Sequence, residues 1–349
     1  MFDHSSKTKA LVELGNFLSY FLENEFISMQ DQWGLELEAV LRKSELENPW
    51  FTQENLRFAL KSWADTFQQD ALDSWLNQYD FSEDKIQKRV GIVAAGNVPL
   101  VAWHDIMCVW LSGHKALVKL SSKDRLLIPF FVKVLAQYDA EIPNAIQFVE
   151  RLEQVDAAIC TGSNNTSRYF EYYFRNVPNI IRSNRTSVAV LTGEESDKEL
   201  QLLGEDIFRY FGLGCRNITK LYLPTDFDIN RIFGAIYPYH EIVNHHKYAN
   251  NYDYHRAILL MNLDEVLDNG FIVFKEDTGI HSPVGTLFYE RYSDISKLKA
   301  DLKLREDDLQ CVVTRSSLWP DAVDFGQTQC PSLSNYADGV DTMDFLLKI

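Results

Sequence analysis

The chain has 349 residues, of which 46% are hydrophobic and 13% aromatic, enough apolar side chains for the cores of two lobes. Its formal net charge of −16 at pH 7 argues against nucleic acid as a partner, because phosphates require a basic surface. No apolar run reaches the length of about 18 residues that a transmembrane helix needs. Five cysteines without regular spacing, and an N-terminus without the apolar core of a signal peptide, predict a cytoplasmic protein.

Two stretches before residue 90 predict helices that pack against a core. Apolar side chains recur at helical spacing in residues 7–25, and a second such stretch, rich in tryptophan and phenylalanine, covers residues 55–78. Neither stretch carries groups that indicate a site. Residues 1–89 are therefore interpreted as a helical segment that packs on the lobe following it.

From residue 90 onward, short apolar strands alternate with helices. The predicted strands are residues 90–95, 116–120, 146–149, 157–160 and 187–191. The predicted helices between them are residues 100–112, 124–138 and 166–174. This alternation predicts a parallel, doubly wound α/β sheet that is covered on both faces. We expect a first lobe at residues 90–192, a second lobe at 193–315 and a tail at 316–349.

Cys215 is the residue most strongly marked for chemistry, because it follows two glycines on a loop between a predicted helix and a buried strand. Gly212 and Gly214 lack Cβ atoms and leave room for a substrate carbonyl to approach. Arg216 favours the thiolate, which is the attacking form of cysteine. Such loops between rigid elements concentrate catalytic groups. The remaining cysteines are more simply interpreted as small buried hydrophobes: Cys108, Cys160, Cys311 and Cys330.

Three further segments follow predicted strands. Asn97 comes after Gly96 and could donate its amide N–H to an oxyanion, although a lone asparagine more often caps a turn or helix. Lys119, followed by Ser121 and Ser122, lies at the carboxyl end of a parallel strand, where ligands bind; the alternative is a lysine in solvent. The turn Thr161-Gly162-Ser163 opens a helix, whose N-terminus can bind phosphate. The sequence has no GxGxxG dinucleotide motif.

In this order and spacing, the segments resemble the aldehyde dehydrogenase superfamily and, more closely, the LuxC-type acyl-CoA reductases, the fatty-acid reductases of bacterial luminescence systems. The resemblance is carried by residues 90–124, 160–163, 184–191 and 211–224. It implies an aldehyde-dehydrogenase-like α/β fold with two doubly wound lobes. Residues 90–192 would then bind NADP, residues 193–315 would carry the catalytic cysteine, and the tail would return to the cofactor lobe. The resemblance also implies a homo-oligomer.

The resemblance assigns roles to the marked residues. It makes Cys215 the acyl-accepting nucleophile, and it makes Asn97 part of the oxyanion hole together with the backbone N–H of the nucleophile. Lys119 matches the lysine that contacts the adenosine ribose, next to Ser121 and Ser122. The turn Thr161-Gly162-Ser163 matches the turn that meets the dinucleotide diphosphate.

Three departures from the aldehyde-oxidising members bear on the reaction. Ser122 replaces a glutamate that binds the ribose hydroxyls, and with Lys123 beside it the site is predicted to take NADPH. Residues 181–185 contain no carboxylate where those members have a glutamate general base. Residues 279–283 replace the pattern that grips the nicotinamide ribose. We therefore expect an enzyme in which hydride, and not water, reaches the acyl group.

The resulting hypothesis is the NADPH-dependent reduction of an acyl-CoA, expected to be a fatty acyl-CoA, to the aldehyde through an acyl-cysteine. The alternative is a thiol acyltransferase that uses the same cysteine without redox chemistry, and a third is a scaffold that has lost activity. A histidine-rich segment, residues 238–256, fits a polar surface or a lid over the substrate pocket better than a metal site, since its spacing matches no zinc pattern. No metal is expected.

Overall fold

The computed structural model describes residues 4–24, 31–81, 86–315, 318–319 and 321–349. The chain forms two compact units: unit 1 comprises the residues up to Ser183 together with Ser332–Ile349, and unit 2 comprises Asn184–Pro331. The predicted first helix extends to Glu25, which lies outside the described residues, as do residues 316, 317 and 320 of the predicted tail. No helix in the described part of the chain is long and apolar enough to cross a membrane.

Helices make up much of both units. In chain order, α1 to α13 are His4–Glu23, Gln32–Glu47, Gln53–Thr66, Gln69–Leu76, Trp103–Leu111, Leu127–Leu135, Ile142–Ala145, Asn164–Phe174, Asp197–Phe208, Asn230–Ile236, His246–Met261, Ile295–Lys303 and Thr342–Lys348. Short 3-10 helices occur at Arg209–Gly212, Tyr237–Asn244, Glu306–Asp308 and Ala337–Gly339.

Unit 1 contains a five-stranded parallel sheet in the order β3-β2-β1-β4-β5. Its strands are Arg89–Val93 (β1), Lys115–Lys119 (β2), Ile146–Phe148 (β3), Ala157–Thr161 (β4) and Asn179–Arg182 (β5). The chain adds β2 and β3 on one side of β1, and then crosses to add β4 and β5 on the other. The direction of winding therefore reverses beside β1, and this is the place where doubly wound sheets bind ligands.

The N-terminal helices belong to the core of unit 1. Leu11, Leu14 and Leu18 of α1 recur at helical spacing and are completely buried in the same apolar cluster as Val90 of β1. The helix α3 begins after Thr52, whose hydroxyl accepts a hydrogen bond from a backbone N–H in the first turn. The packing helices predicted from the sequence are therefore present.

Unit 2 contains a six-stranded sheet in the order β11-β6-β7-β10-β9-β8. Its strands are Thr186–Val190 (β6), Ile218–Pro224 (β7), Val266–Asp268 (β8), Val273–Glu276 (β9), Thr286–Tyr292 (β10) and Leu309–Val313 (β11). All pairs are parallel except β8 with β9.

One strand of the predicted run belongs to the other sheet. Residues 187–191 were expected as the fifth strand of the first sheet, but they form β6 of unit 2, so that assignment is wrong. The fifth strand of unit 1 is β5, where Asn179 and Arg182 flank two isoleucines. Polar residues at both ends make this segment a weak strand signal, and the sequence analysis missed it.

A buried ion pair joins three elements of unit 1. Arg182 at the end of β5 pairs with Asp105 of α5, and each side chain is less than a tenth exposed. One guanidinium nitrogen donates to Asp105 Oδ1 at 2.9 Å and to Thr342 Oγ1, in the first turn of α13, at 3.0 Å. The C-terminal helix is thus held to the sheet through a charged contact.

We expect Asp105→Ala to lower the free energy of unfolding by about 3–5 kcal/mol, because it leaves the Arg182 charge buried without its carboxylate. Urea unfolding at neutral pH measures the loss. Glu36→Ala, which removes the partner of the exposed Lys133, is the matched control and should have a much smaller effect. Equal losses in the two variants would contradict the assignment.

Candidate functional site

The marked residues of unit 1 meet at one edge of its sheet. Lys119 ends β2, Asn97 follows β1 and Thr161 ends β4. Because β1 pairs in parallel with both β2 and β4, their carboxyl ends lie side by side. The structure therefore brings these sequence-predicted residues together. The exposed members are Asn97, Lys119, Ser122 and Ser163, and the half-buried ones are Ser121, Thr161 and Gly162.

Ser121 shapes the loop after β2. Its Oγ accepts the Lys123 N–H at 3.2 Å. The side chain also packs on Gly96, where an added Cβ would come within 2.6 Å of Ser121 Cβ. Only glycine permits this approach between the β1 and β2 loops. Ser121 is thus placed to hold the loop, while Ser122 and Lys123 are exposed.

Asp124 connects the same two loops and was not singled out by the sequence analysis, which made it only the first residue of a helix. Its Oδ2 accepts the Leu100 N–H at 2.8 Å. Leu100 follows the Asn97 loop and has a φ of 60°, in the left-handed region that is costly for a branched side chain. Burial raises the pKa of Asp124 to about 7, against the effect of its backbone hydrogen bonds. The sequence signal that could have singled out Asp124 is a carboxylic residue directly after a loop of serines and lysine.

The turn Thr161-Gly162-Ser163 leads from β4 into α8. The Gly162 N–H donates to Arg182 O on β5 at 3.2 Å, which extends the sheet by one bond. Ser163 caps α8, because its Oγ accepts the Thr166 N–H at 3.4 Å. The α8 N-terminus, with its helix dipole, therefore opens at the same sheet edge as Lys119 and Asn97, as an anion site requires.

In unit 2, Cys215 lies at the tip of a doubly closed turn. The Asn217 N–H donates to Gly214 O at 3.1 Å, as in a β-turn with Cys215 and Arg216 at its centre. The Gly214 N–H in return donates to Asn217 Oδ1 at 2.8 Å. Cys215 is half-buried, and the turn runs directly into β7. Cys215, the nucleophile predicted from the sequence, thus lies on a short turn that two hydrogen bonds close.

The chain reaches this turn through three consecutive left-handed residues. Tyr210, Phe211 and Gly212 have φ values of 54°, 60° and 75°. Two of them are aromatic, so the conformation costs energy that the surrounding contacts must offset. Phe211 packs against His245 with ring centroids 4.3 Å apart and the rings tilted by 31°. The glycine at 212 therefore matters for its backbone angle, and not only for the room it leaves near Cys215.

Ser187 of β6 supports the turn from the opposite side. Its hydroxyl donates to Cys215 O at 3.0 Å. Ser187 Oγ also lies 3.0 Å from Cys311 Sγ. Burial raises the pKa of Cys311 to about 11, so this neighbouring thiol stays protonated at neutral pH.

The other cysteines differ in their surroundings. Cys108 and Cys160 are buried, and desolvation raises the pKa of both thiols, that of Cys160 to about 12. Cys330, however, is exposed. Its interpretation as a buried hydrophobe was wrong, because the irregular segment that carries it leaves its side chain in solvent. Cys330 is consequently a useful control thiol.

The acidic residues near the start of unit 2 are engaged in structural contacts. Glu195 is buried, and its carboxylate accepts the Thr192 and Gly193 N–H groups at 2.6 and 3.0 Å. Glu194 pairs with Arg315 at 3.3 Å. These bonds account for two of the carboxylates that lie close in sequence to the segment at 181–185.

The segment that replaces the ribose-gripping pattern is pinned by β7. Thr219 Oγ1 donates to Ile280 O at 2.5 Å, and Lys220 Nζ donates to Asp277 O at 2.5 Å. Lys220 is completely buried, and desolvation lowers its pKa despite its partner Glu290. A small cavity borders this segment; its walls include Phe211, Ile218, Ser282, Pro283 and Thr286.

The histidine-rich segment forms a 3-10 helix and most of α11. The His245 ring caps α11 by accepting the Tyr248 N–H at 3.4 Å, while His246 is exposed. Burial lowers the pKa of His255. Among the described residues, no group of three or more histidine, cysteine or acidic side chains is arranged to hold a metal ion.

The family model described as "Acyl-CoA reductase (LuxC)" matches residues 23–230, more than half of the chain. The chain belongs to this family. The resemblance drawn from the sequence is confirmed, and the protein is an enzyme of the acyl-CoA reductase class. The matched stretch includes both the Asn97 loop and the Cys215 turn. No sequence among the curated proteins matches the chain.

Solved aldehyde dehydrogenases share the fold. Aldehyde dehydrogenase 21 from Physcomitrella patens, in complex with the reaction product succinate, has a TM-score of 0.68 at 13% identity, over 98% of this chain and 83% of that one. An aldehyde dehydrogenase of Mycobacterium tuberculosis complexed with NAD+ gives 0.56 at 13% identity, over 83% and 70%. One from Bacillus cereus, in an NAD+ complex, gives 0.58 at 11%, over 88% and 71%. The predicted aldehyde-dehydrogenase-like α/β fold is confirmed.

The raised pKa of Asp124 predicts a pH-dependent stability. Since the folded-state pKa of about 7 lies above the usual aspartate value of 3.8, the folded state binds this proton more tightly than the unfolded chain does. The contribution of protonated Asp124 to the free energy of unfolding is fully present below about pH 4 and is lost as the pH rises through about 7. Urea midpoints measured from pH 4 to pH 8 should fall more steeply for the wild type than for Asp124→Asn. The exposed control Asp226→Asn should follow the wild type, and parallel curves for all three would contradict the prediction.

Proposed function

We propose that the protein reduces an acyl-CoA thioester to the aldehyde with NADPH, through an acyl-cysteine formed on Cys215. The observation that carries the proposal is the placement of Cys215 at the tip of a closed turn, in a chain of the acyl-CoA reductase family. We infer that unit 1 holds the cofactor and that unit 2 holds the acyl group. A fatty acyl chain and a homo-oligomer remain predictions from the resemblance.

In this mechanism the Cys215 thiolate attacks the acyl carbonyl, and Arg216 favours the thiolate form. The resemblance gives the backbone N–H of Cys215 and the amide of Asn97 as the oxyanion donors, and losing one donor of this kind costs about 10²–10³ in rate. CoA thiolate leaves and the acyl-cysteine remains. After reduction, the thiohemiacetal on Cys215 collapses, which releases the aldehyde and regenerates the thiolate.

Side chains in the loops of unit 1 support the proposal of NADPH as cofactor. Lys119 and Lys123 supply exposed cations on a chain of strongly negative net charge, and Ser122 is exposed and smaller than the glutamate it replaces, which favours a 2′-phosphate. The α8 N-terminus after Ser163 suits the diphosphate. When bound, NADPH supplies the hydride that reduces the acyl group.

The contacts of residues 181–185 favour reduction over hydrolysis. Arg182 is tied to Asp105, and Arg185 donates to Glu306 O and Leu309 O at 3.2 and 3.1 Å. Arginine does not act as a base near neutral pH. A positioned carboxylate that deprotonates water accelerates thioester hydrolysis by typically 10²–10⁴-fold. Without one in this segment, the acyl-cysteine should survive until hydride reaches it.

Mixing the protein with acyl-CoA in the absence of NADPH should add one acyl group, because the first half-reaction needs only the thiolate. Intact mass spectrometry over several chain lengths measures the adduct. Cys215→Ser should lose it, whereas the control Cys330→Ser, which removes an exposed thiol, should keep it. Acylation that depends on Cys330 would overturn the proposal.

Adding NADPH then separates reduction from acyl transfer. We expect loss of absorbance at 340 nm that is matched by trapped aldehyde. Transfer of the acyl group to an added thiol without any loss of absorbance would instead establish a thiol acyltransferase.

The wild type should bind NADPH about tenfold or more tightly than NADH, since charge-assisted bonds to the 2′-phosphate are each worth about 1.5–3 kcal/mol. Ser122→Glu should reverse the preference by repelling that phosphate. Fluorescence titration with both cofactors provides the dissociation constants. Ser74→Glu, on the exposed side of α4, adds the same charge elsewhere and should leave the ratio unchanged. Equal affinities in the wild type would refute the assigned role of Ser122.

A further inference from the structure

Asn217 is completely buried and closes the nucleophile turn from both ends. Its backbone N–H donates to Gly214 O at 3.1 Å, and its Oδ1 accepts the Gly214 N–H at 2.8 Å. Cys215 and Arg216 are the two residues enclosed by this ring of bonds. The position of the Cys215 backbone therefore depends directly on the Asn217 side chain.

The amide nitrogen of the same side chain holds the end of α9. Asn217 Nδ2 donates to Arg209 O at 2.8 Å and to Asp206 O at 3.1 Å. Carbonyl groups at the C-terminus of a helix have no partner within the helix, so a buried helix end needs donors from elsewhere. Asn217 supplies them and thereby joins the helix end to the turn.

The network continues to a third segment through Asp206. This carboxylate is completely buried, and it accepts the Gly326 N–H at 2.7 Å and the Thr328 N–H at 3.0 Å. Burial raises its pKa to about 6. One end of α9, the nucleophile turn and residues 326–328 are thus connected by hydrogen bonds that converge on two side chains.

The left-handed residues 210–212 explain why the Asn217 side chain must hold both the end of α9 and the nucleophile turn; we call this pair of contacts the brace. They lie between Arg209, whose carbonyl Asn217 holds, and Gly214, whose N–H Asn217 accepts. A strained segment persists only when the surrounding structure holds both of its ends. A carboxamide can accept at one end and donate at the other, whereas a carboxylate can only accept.

We propose that Asn217 is a positioning residue for Cys215: it fixes the backbone of the nucleophile turn against the end of α9. The proposal rests on the proposed function only in so far as Cys215 is the nucleophile. It predicts that altering Asn217 misplaces the Cys215 thiolate relative to the thioester carbonyl. A displacement of about 1 Å can cost about 10²-fold in rate.

Two variants divide the roles of the side chain. Asn217→Asp keeps the size and the acceptor for the Gly214 N–H, but it places a negative charge against the Asp206 and Arg209 carbonyls. Asn217→Ser keeps a short acceptor for Gly214 and is too short to reach the two carbonyls. The matched control is Asn55→Ser on α3, which alters an asparagine that is also 5% exposed or less.

Two readouts are needed, iodoacetamide alkylation of Cys215 as a function of pH and steady-state turnover with acyl-CoA and NADPH. Asn217→Asp should move the alkylation profile to higher pH, because the added charge disfavours the thiolate. Asn217→Ser should reach the wild-type alkylation rate at high pH, yet lower kcat by about 10²-fold with KM nearly unchanged. Asn55→Ser should lower the melting temperature and change neither readout.

The outcomes separate this proposal from the proposed function. If the wild type forms no acyl-enzyme, the proposed function fails, while a shifted alkylation profile in Asn217→Asp still supports the brace. If the wild type turns over and both variants behave like Asn55→Ser, the positioning role is refuted. If neither variant melts cooperatively, Asn217 is required for folding itself, and that result also overturns the proposal.

Discussion

The constraint on which unit 2 depends is the satisfaction of backbone polar groups around Cys215. Cys215 lies on a turn, outside regular strand or helix, yet buried N–H and C=O groups need partners. The chain meets both demands by leaving α9 through a left-handed segment and closing a four-residue turn on itself. Asn217 and Ser187 supply the donors and acceptor that helix and sheet no longer provide.

Buried carboxylates fix loops in both units. Asp124 holds the Leu100 N–H, Asp206 holds two N–H groups near residue 327, and Glu195 holds those of Thr192 and Gly193. Each carboxylate is buried and accepts hydrogen bonds from backbone N–H groups. Desolvation therefore prevails at Asp124 and Asp206, raising their pKa to about 7 and about 6. In this acidic protein, buried aspartate and glutamate side chains thus fix the loops by accepting backbone hydrogen bonds.

The sequence predicted what depends on local pattern. Short apolar runs located β1 to β4 and β6, and the glycine-flanked Cys215 and the family motifs located the candidate site. What could not be predicted depends on partners distant in sequence. Whether residues 187–191 join the first sheet or the second is decided by pairing with β7 and β11, and Asp206 meets its partner 120 residues later. The hydrogen bonds of Asn217 to both α9 and the Cys215 turn depend on the left-handed conformation of residues 210–212. The aromatic residues Tyr210 and Phe211 give no sequence signal for that conformation.

The same comparison bears on the choice between reduction and hydrolysis. The aldehyde-oxidising enzymes that this sequence resembles have a glutamate base at the position of residues 181–185. In this chain, the contacts of that segment disfavour a carboxylate. Arg182 neutralises Asp105 and holds α13, so an acid at that position would bury two like charges together. Arg185 satisfies two carbonyl groups that a carboxylate could only repel. Returning a carboxylate to this segment would therefore require replacing the Arg182 contacts of unit 1 or the Arg185 contacts of unit 2.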